Sequence, residues 1–267
     1  MTWHDGVRKQ LVDGLSKVDA NPIQQLNNAL RLLSKHRSVL LQNTLIQNEG
    51  LKVMQGPLEG LDFIRQSAEG CHVAKLIGCY EQPLQEHIHQ VIKADYDTII
   101  NIGCAEGYYA VGMALRMEGT HTYAFDINEA AQKACAELAQ RNGIADRITV
   151  GANFEVEDFT KYSGGRSLIF CDIEGAEVEL LDPVKAPTLK SFDMIVEAHE
   201  GDRPGTVKLL SDRFSETHSI AVVNDNGQRR LDNMPAWFLG LSHLDQLLAT
   251  WEWRSRPTPW LVMKLKQ

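Results

Sequence analysis

Residues 97–107, DTIINIGCAEG, carry an apolar strand straight into two glycines four positions apart and then into an apolar helical stretch, YYAVGMALRM. Few folds use that succession. A strand that ends in glycine and passes at once into a helix reads as the first crossover of a parallel sheet, because glycine lets the backbone turn tightly and lay the helix over the sheet. Gly103 and Gly107 keep the bend clear of side chains. A helix that starts there aims its unpaired N–H groups and the positive end of its dipole at whatever occupies the bend. A carboxylate or a phosphate suits that place.

The next strand reads Tyr123-Ala124-Phe125-Asp126 and so ends in an acid about twenty residues beyond the bend, the spacing at which nucleotide-binding sheets grip both ribose hydroxyls. Bend and acid together predict a nucleoside ligand. The turn is G-x-x-x-G, without the third glycine that close helix packing requires in dehydrogenases; Tyr109 and Ala110 stand in that region instead. Glu106 would repel a pyrophosphate and attract an amino group. Both points favour S-adenosylmethionine over NAD, with an NAD-dependent oxidoreductase kept as an alternative.

From residue 97 onward, short β-rich runs alternate with helical ones, the pattern of βαβ units. Strands are expected at 98–102, 122–125, 148–150, 168–171, 194–196, 220–223 and 261–264, and helices at 108–117, 129–141, 176–181, 205–214 and 232–249. The fold class is α/β: a Rossmann-like, seven-stranded, doubly wound sheet that is mainly parallel. Before it, LVDGLSKV, PIQQLNNALRLLSKHRSVLLQNTLI and QEHIHQVIKA space apolar residues by three and four, as amphipathic helices do. Asn21-Pro22 supplies a cap and a first-turn proline for the second of these. Gly50, Gly56, Gly60 and Gly70 punctuate a looser stretch that follows. Two regions are predicted: a helical N-terminal cap over 1–95 and a ligand-binding domain over 96–267.

A net charge of −8 gives no general attraction to phosphate backbones or anionic lipid, so neither nucleic acid nor membrane is expected as a partner. No apolar run approaches the roughly 20 residues of a membrane helix. The opening MTWHDGVRKQ has no charged start followed by an apolar stretch, which predicts a cytoplasmic protein. A homodimer is left open. The 5 cysteines are odd in number and show no CxxC spacing, so free thiols are expected rather than disulfides or a zinc ribbon.

INIGCAEGYYAVGMA resembles motif I of class I methyltransferases, whose usual form has an acid where Asn101 stands. CDIEGAEVELLDP, residues 171–183, is similar to the DxEGAE segment of the FkbM-like branch, and Tyr80-Glu81 resembles that branch's upstream element. The resemblance covers roughly residues 76–200 and implies an enzyme that binds S-adenosylmethionine and moves its methyl group. With the bottom-up reading of the bend, it makes Tyr80, Glu81, Asn101, Gly103, Cys104, Ala105, Glu106, Tyr108, Asp126, Ile127, Asn153, Phe154 and Asp172 the cofactor-binding candidates. Asp126 matches the family's ribose acid, and Ile127 is expected beside the adenine.

Ligands of open α/β sheets lie beyond the carboxyl ends of the strands, which draws attention to Asp172 after the fourth strand and to Glu197 and His199 at the fifth. In an extended chain Glu197 and His199 project to one side. Asp172, His199 and Glu197 are therefore the catalytic candidates, as a base or positioning group. An arginine pairing for Glu197, with His199 as a simple hydrogen-bonded strand terminus, is the second reading, and a divalent metal held by the same three is the third. His87 and His89 fall on different faces of a helix and read as surface residues. Trp251, Trp253 and Trp260 read as packing anchors. The acceptor expected is a small molecule, methylated at oxygen first and at nitrogen or sulfur otherwise. The rivals are a different transfer or cyclisation on the same fold, and a ligand-binding module without turnover.

Overall fold

The protein is described by a computed structural model that covers residues 2–17, 21–65, 67, 71–256 and 258–266. Gly70 lies outside the described residues. Four α-helices precede the sheet: α1 (Trp3–Leu15), α2 (Pro22–Glu49), α3 (His72–Ile77) and α4 (Gln85–Lys93). The start of α2 follows its sequence, with the Asn21 side chain accepting from the N–H groups of Ile23 and Gln24 and Pro22 in the first turn. The short, wholly buried α3 was not anticipated, because a single apolar turn carries no periodicity to read.

The remainder alternates as β1 (Thr98–Ile102), α5 (Tyr108–Arg116), β2 (His121–Phe125), α6 (Glu129–Arg141), β3 (Ile148–Gly151), β4 (Ser167–Cys171), α7 (Glu177–Leu180), β5 (Asp193–Glu197), α8 (Thr206–Phe214), β6 (His218–Val223), α9 (Ala236–Leu239), α10 (His243–Thr250) and β7 (Trp260–Leu265). All seven expected strands form. They make one sheet in the order β3-β2-β1-β4-β5-β7-β6, parallel except for β7, which runs antiparallel between β5 and β6. This is the Rossmann-like, doubly wound α/β architecture.

Alternation along the strands divides the interior into two cores. Ile99, Leu168, Phe170, Ile195 and Val262 face one side, where Leu45, Leu58, Leu76 and Met113 cover them. Ile100, Ile102, Ile169, Met194 and Val196 face the other, under Phe159, Leu189, Phe192, Leu210 and Phe214. Strands buried on both faces are largely apolar, which is why they stand out as near-continuous runs in the chain. Residues from α2 and α3 thus share a core with the sheet itself.

The single long helix expected over 232–249 is instead two short ones. Pro235 has no N–H to extend a helix backward, and Gly240 breaks the run. The Ser242 side chain then accepts from the Asp245 N–H at 3.2 Å and starts α10 afresh.

Candidate active site

The winding of the sheet reverses between β1 and β4, the point at which open α/β sheets leave a crevice at their carboxyl edge. Ile102 registers with Phe125 on β2 and with Cys171 on β4, so the residues that follow, Gly103, Asp126 and Asp172, emerge side by side. Gly103 has φ of +78°, and a Cβ there would lie 1.6 Å from the Asp172 carbonyl oxygen. Only glycine fits. The N–H groups of Gly103 and Cys104 both donate to the Phe125 carbonyl, at 2.8 and 2.9 Å, which stitches the bend to the end of β2.

Asp126 faces that bend. Its Oδ2 accepts from the Ala105 N–H at 2.9 Å, and its Oδ1 accepts from the Asn128 N–H at 2.8 Å. Each oxygen keeps a further lone pair, so the fixed carboxylate still has capacity for two hydroxyl donors. Beside it opens a cleft of about 680 Å³. Of the cofactor candidates, Gly103, Asp126, Ile127, Asn153, Phe154 and Asp172 line it. Phe154 is buried against Phe125, ring centroids 4.8 Å apart, and makes an apolar wall, whereas Ile127 is 83% exposed at the rim. Asn153 turns its amide to Glu155. Ile173, Glu174, Leu180 and Lys185 are among the further lining residues and were not among the cofactor candidates, since nothing local marks them.

The other cofactor candidates do not line the cleft. Cys104 and Ala105 shape the bend through their backbone. Asn101 is buried within β1 and donates its amide to the Phe170 carbonyl at 3.2 Å. Tyr108 is buried, its hydroxyl 3.4 Å from the Lys75 carbonyl. Glu106 requires a correction: it is fully buried, ion-paired with Lys75, and accepts from the Ser67 hydroxyl at 2.8 Å. Its charge is committed inside the protein and does not face a ligand. Tyr80 and Glu81 sit instead in a second cluster around Arg254.

Arg254 reaches Glu81 and Glu197, and meets Glu252 at 3.1 Å. Glu81 is buried with φ of +48°; its N–H donates to Glu252 Oε1 at 2.9 Å and its Oε2 accepts from the Tyr109 hydroxyl at 2.6 Å. Burial, with Glu197 and Glu252 nearby, pushes the Glu81 pKa up to about 8 against the pull of Arg254. Glu252 in turn pairs with Arg229, which is also held by Asp225. The arginine partner weighed for Glu197 therefore exists, from a residue on the far side of the sequence.

His199 and Glu197 are buried just behind Asp172. His199 Nδ1 lies 2.8 Å from Glu177 Oε1, while Nε2 faces Glu174 at 3.3 Å, Glu197 at 3.6 Å and Asp172 at 3.7 Å. Burial alone would lower the imidazole pKa. The contacts with Glu174 and Glu177 and the charge of Glu197 overcome it and push the pKa up to about 11. With only carboxylates around it and no cation among them, the ring favours its protonated form. Burial and the adjacent Glu197 push the Asp172 pKa well up. Glu177 was not singled out from the sequence, yet it is fully buried and also accepts from the N–H groups of Ile173 and Gly175, each at 3.2 Å.

All 5 cysteines are buried and free. Hydrogen bonding to Cys135, together with burial, raises the Cys104 thiol pKa, and burial raises that of Cys171, so neither is a thiolate nucleophile. Among the described residues, no helix is long and apolar enough to cross a membrane.

No family model matches the chain, and no curated protein matches it. Solved structures do. A candidate rRNA methylase from Clostridium thermocellum is similar at 10% identity and a TM-score of 0.48, over 69% of this chain and 96% of its own. A candidate O-methyltransferase from Klebsiella pneumoniae matches at 12% identity and a TM-score of 0.45, over 96% of each chain. The O-methyltransferase TomG from Streptomyces achromogenes, in complex with SAM, matches at 9% identity and a TM-score of 0.44, over 98% of this chain and 99% of its own. Likeness at this level leaves function to be argued from the site.

Proposed function

We propose that the protein is an S-adenosylmethionine-dependent methyltransferase that acts on a small molecule, at oxygen in the first instance. The observation that carries the reading is the Asp126 carboxylate, fixed by two backbone N–H groups at the glycine bend and facing an open cleft of about 680 Å³. That volume suits a nucleoside with a short chain. Asp126 would hold the ribose hydroxyls, Phe154 and Ile127 would flank the adenine, and Gly103 would let the chain of the ligand pass close to the backbone. S-adenosylmethionine, when bound, supplies a methyl group on an electrophilic sulfonium.

This chain's own residues then have a modest task, because alignment and exclusion of water provide most of the rate. Asp172, which lines the cleft, together with Glu197 behind it, would hold an acceptor hydroxyl by accepting its hydrogen bond. Carboxylates at that edge, and a net charge of −8, suit a small hydroxylated acceptor better than a phosphate backbone. Placement in the FkbM-like branch is part of the same proposal: its support is the DIEGAE segment, which forms the loop beside His199. Residues 1–95 are proposed as a helical cap on the domain of residues 96–267.

The test is product analysis. Incubated with S-adenosylmethionine and a panel of small alcohols, phenols and amines, the protein is expected to release S-adenosylhomocysteine and a singly methylated product, read by mass spectrometry. Tight cofactor binding with no S-adenosylhomocysteine from any acceptor would favour a module without turnover.

A further inference from the structure

We propose that Asp172, Glu174 and His199 form a binding site for one divalent cation, with Glu177 orienting the imidazole. A ligand oxygen from each carboxylate and a ring nitrogen of His199 lie within 4.8 Å of one another. In an octahedral shell with bonds of about 2.1 Å, neighbouring ligand atoms stand about 3 Å apart and opposite ones about 4.2 Å. The 3.3 and 3.7 Å from His199 Nε2 to Glu174 and Asp172 sit inside that range.

The group is more than a gathering of acids. The His199 side chain is only 5% exposed, and its Nε2 approaches three carboxylate oxygens rather than one acceptor. Asp172 Oδ1 is buried and has no hydrogen-bond partner among the described residues, although it looks toward that nitrogen from 3.7 Å. A cation among these atoms would satisfy both. Nδ1 is already engaged by the buried Glu177 carboxylate at 2.8 Å, which is how metal-binding imidazoles are held: one nitrogen donates to a carboxylate, leaving the other to ligate.

The loop is built to present Glu174. Glu177 Oε1 draws in the Ile173 and Gly175 N–H groups, and Glu174 between them takes the left-handed φ of +54° that turns its side chain back toward His199. Two oxygens with one imidazole suit manganese or ferrous iron better than the thiolate-seeking metals. Asp172 lines the cleft, so the cation would reach the acceptor and hold its oxygen. That role rests on the methyl-transfer reading; the binding of the ion does not.

Manganese titration of the full chain tests the site, with free Mn2+ followed by electron paramagnetic resonance. One Mn2+ per chain is expected, with affinity reduced at least about tenfold in Glu174→Gln and His199→Gln, and by about ten- to a hundredfold in Glu177→Gln. Glu137→Gln, on the exposed face of α6, should bind as the parent does. Glu174 has a side chain 75% exposed, so its variant should melt normally and keep the comparison fair. Absence of saturable Mn2+ binding, or binding unchanged in Glu174→Gln, would overturn the proposal. Calorimetry with S-adenosylmethionine on the same samples separates the two readings: cofactor binding without Mn2+ binding removes only the cation site, and Mn2+ binding without cofactor binding removes only the methyl-transfer reading.

Discussion

Glu177 and His199, 22 residues apart in the chain, meet at 2.8 Å, and the same carboxylate oxygen gathers the N–H groups of Ile173 and Gly175. One buried acid therefore fixes both a ring and the loop that follows β4. Glu177→Ala leaves these donors without an acceptor and should cost about 1–3 kcal/mol of stability. Glu177→Gln, which keeps a carbonyl oxygen, should cost less. Equilibrium urea unfolding reads both, and an unchanged midpoint in Glu177→Ala would refute the role.

The buried pair of Lys75 and Glu106 should act through stability rather than through cofactor affinity. Removing one partner strands a charge in the interior, so Lys75→Met is expected to cost about 3–5 kcal/mol, with much of it recovered in the Lys75→Met, Glu106→Leu double variant. A Glu106→Gln protein of parental stability that binds S-adenosylmethionine weakly would instead return Glu106 to the ligand.

Gly103→Ala should be poorly tolerated. The positive φ alone costs on the order of 1–3 kcal/mol for a residue with a Cβ, and the Asp172 carbonyl must also move. Reduced thermal stability together with weakened cofactor binding is expected, because the displaced strand end is part of the cleft. Parental behaviour in both would show that the bend is looser than described.

Arg37 on α2 grips Asp245 on α10 with two hydrogen bonds, at 2.6 and 2.7 Å. That hydrogen bonding lowers the Asp245 pKa below its ordinary 3.8. The folded state thus binds fewer protons than the unfolded one in acid. The stabilisation is fully present above that ordinary value and disappears as pH falls through the depressed one. Arg37 is 46% exposed, which limits the term to about 0.5–1 kcal/mol. Asp245→Asn should remove this contribution to the loss of stability below about pH 4. An acid profile identical to the parent's would contradict the pairing.

The centre of the sheet was readable in the chain because β1, β4 and β5 are buried on both faces and so appear as apolar runs, as Ile99 to Ile102 and Leu168 to Cys171 do. The bend and Asp126 were readable because their chemistry is local, a glycine turn and an acid one crossover later. What escaped was set by distance or by breakers. Arg254 meets Glu81 across 173 residues, and Lys75 meets Glu106 across 31, separations at which charge in the chain carries no pairing signal. Pro235 and Gly240 outweighed the helical pattern around α9 and α10. Glu177 stood inside the DIEGAE segment, but its task became visible only when folding brought His199 beside it.

The grip of Asp126 on a nucleoside is the claim beneath the rest, and isothermal titration of S-adenosylmethionine into the parent and Asp126→Ala proteins tests it most directly. The parent is expected to bind one cofactor per chain, and the variant to bind more weakly by about 1–3 kcal/mol, roughly five- to a hundredfold, with its fold retained. Equal affinity in the two proteins, or no binding to the parent, would contradict the account.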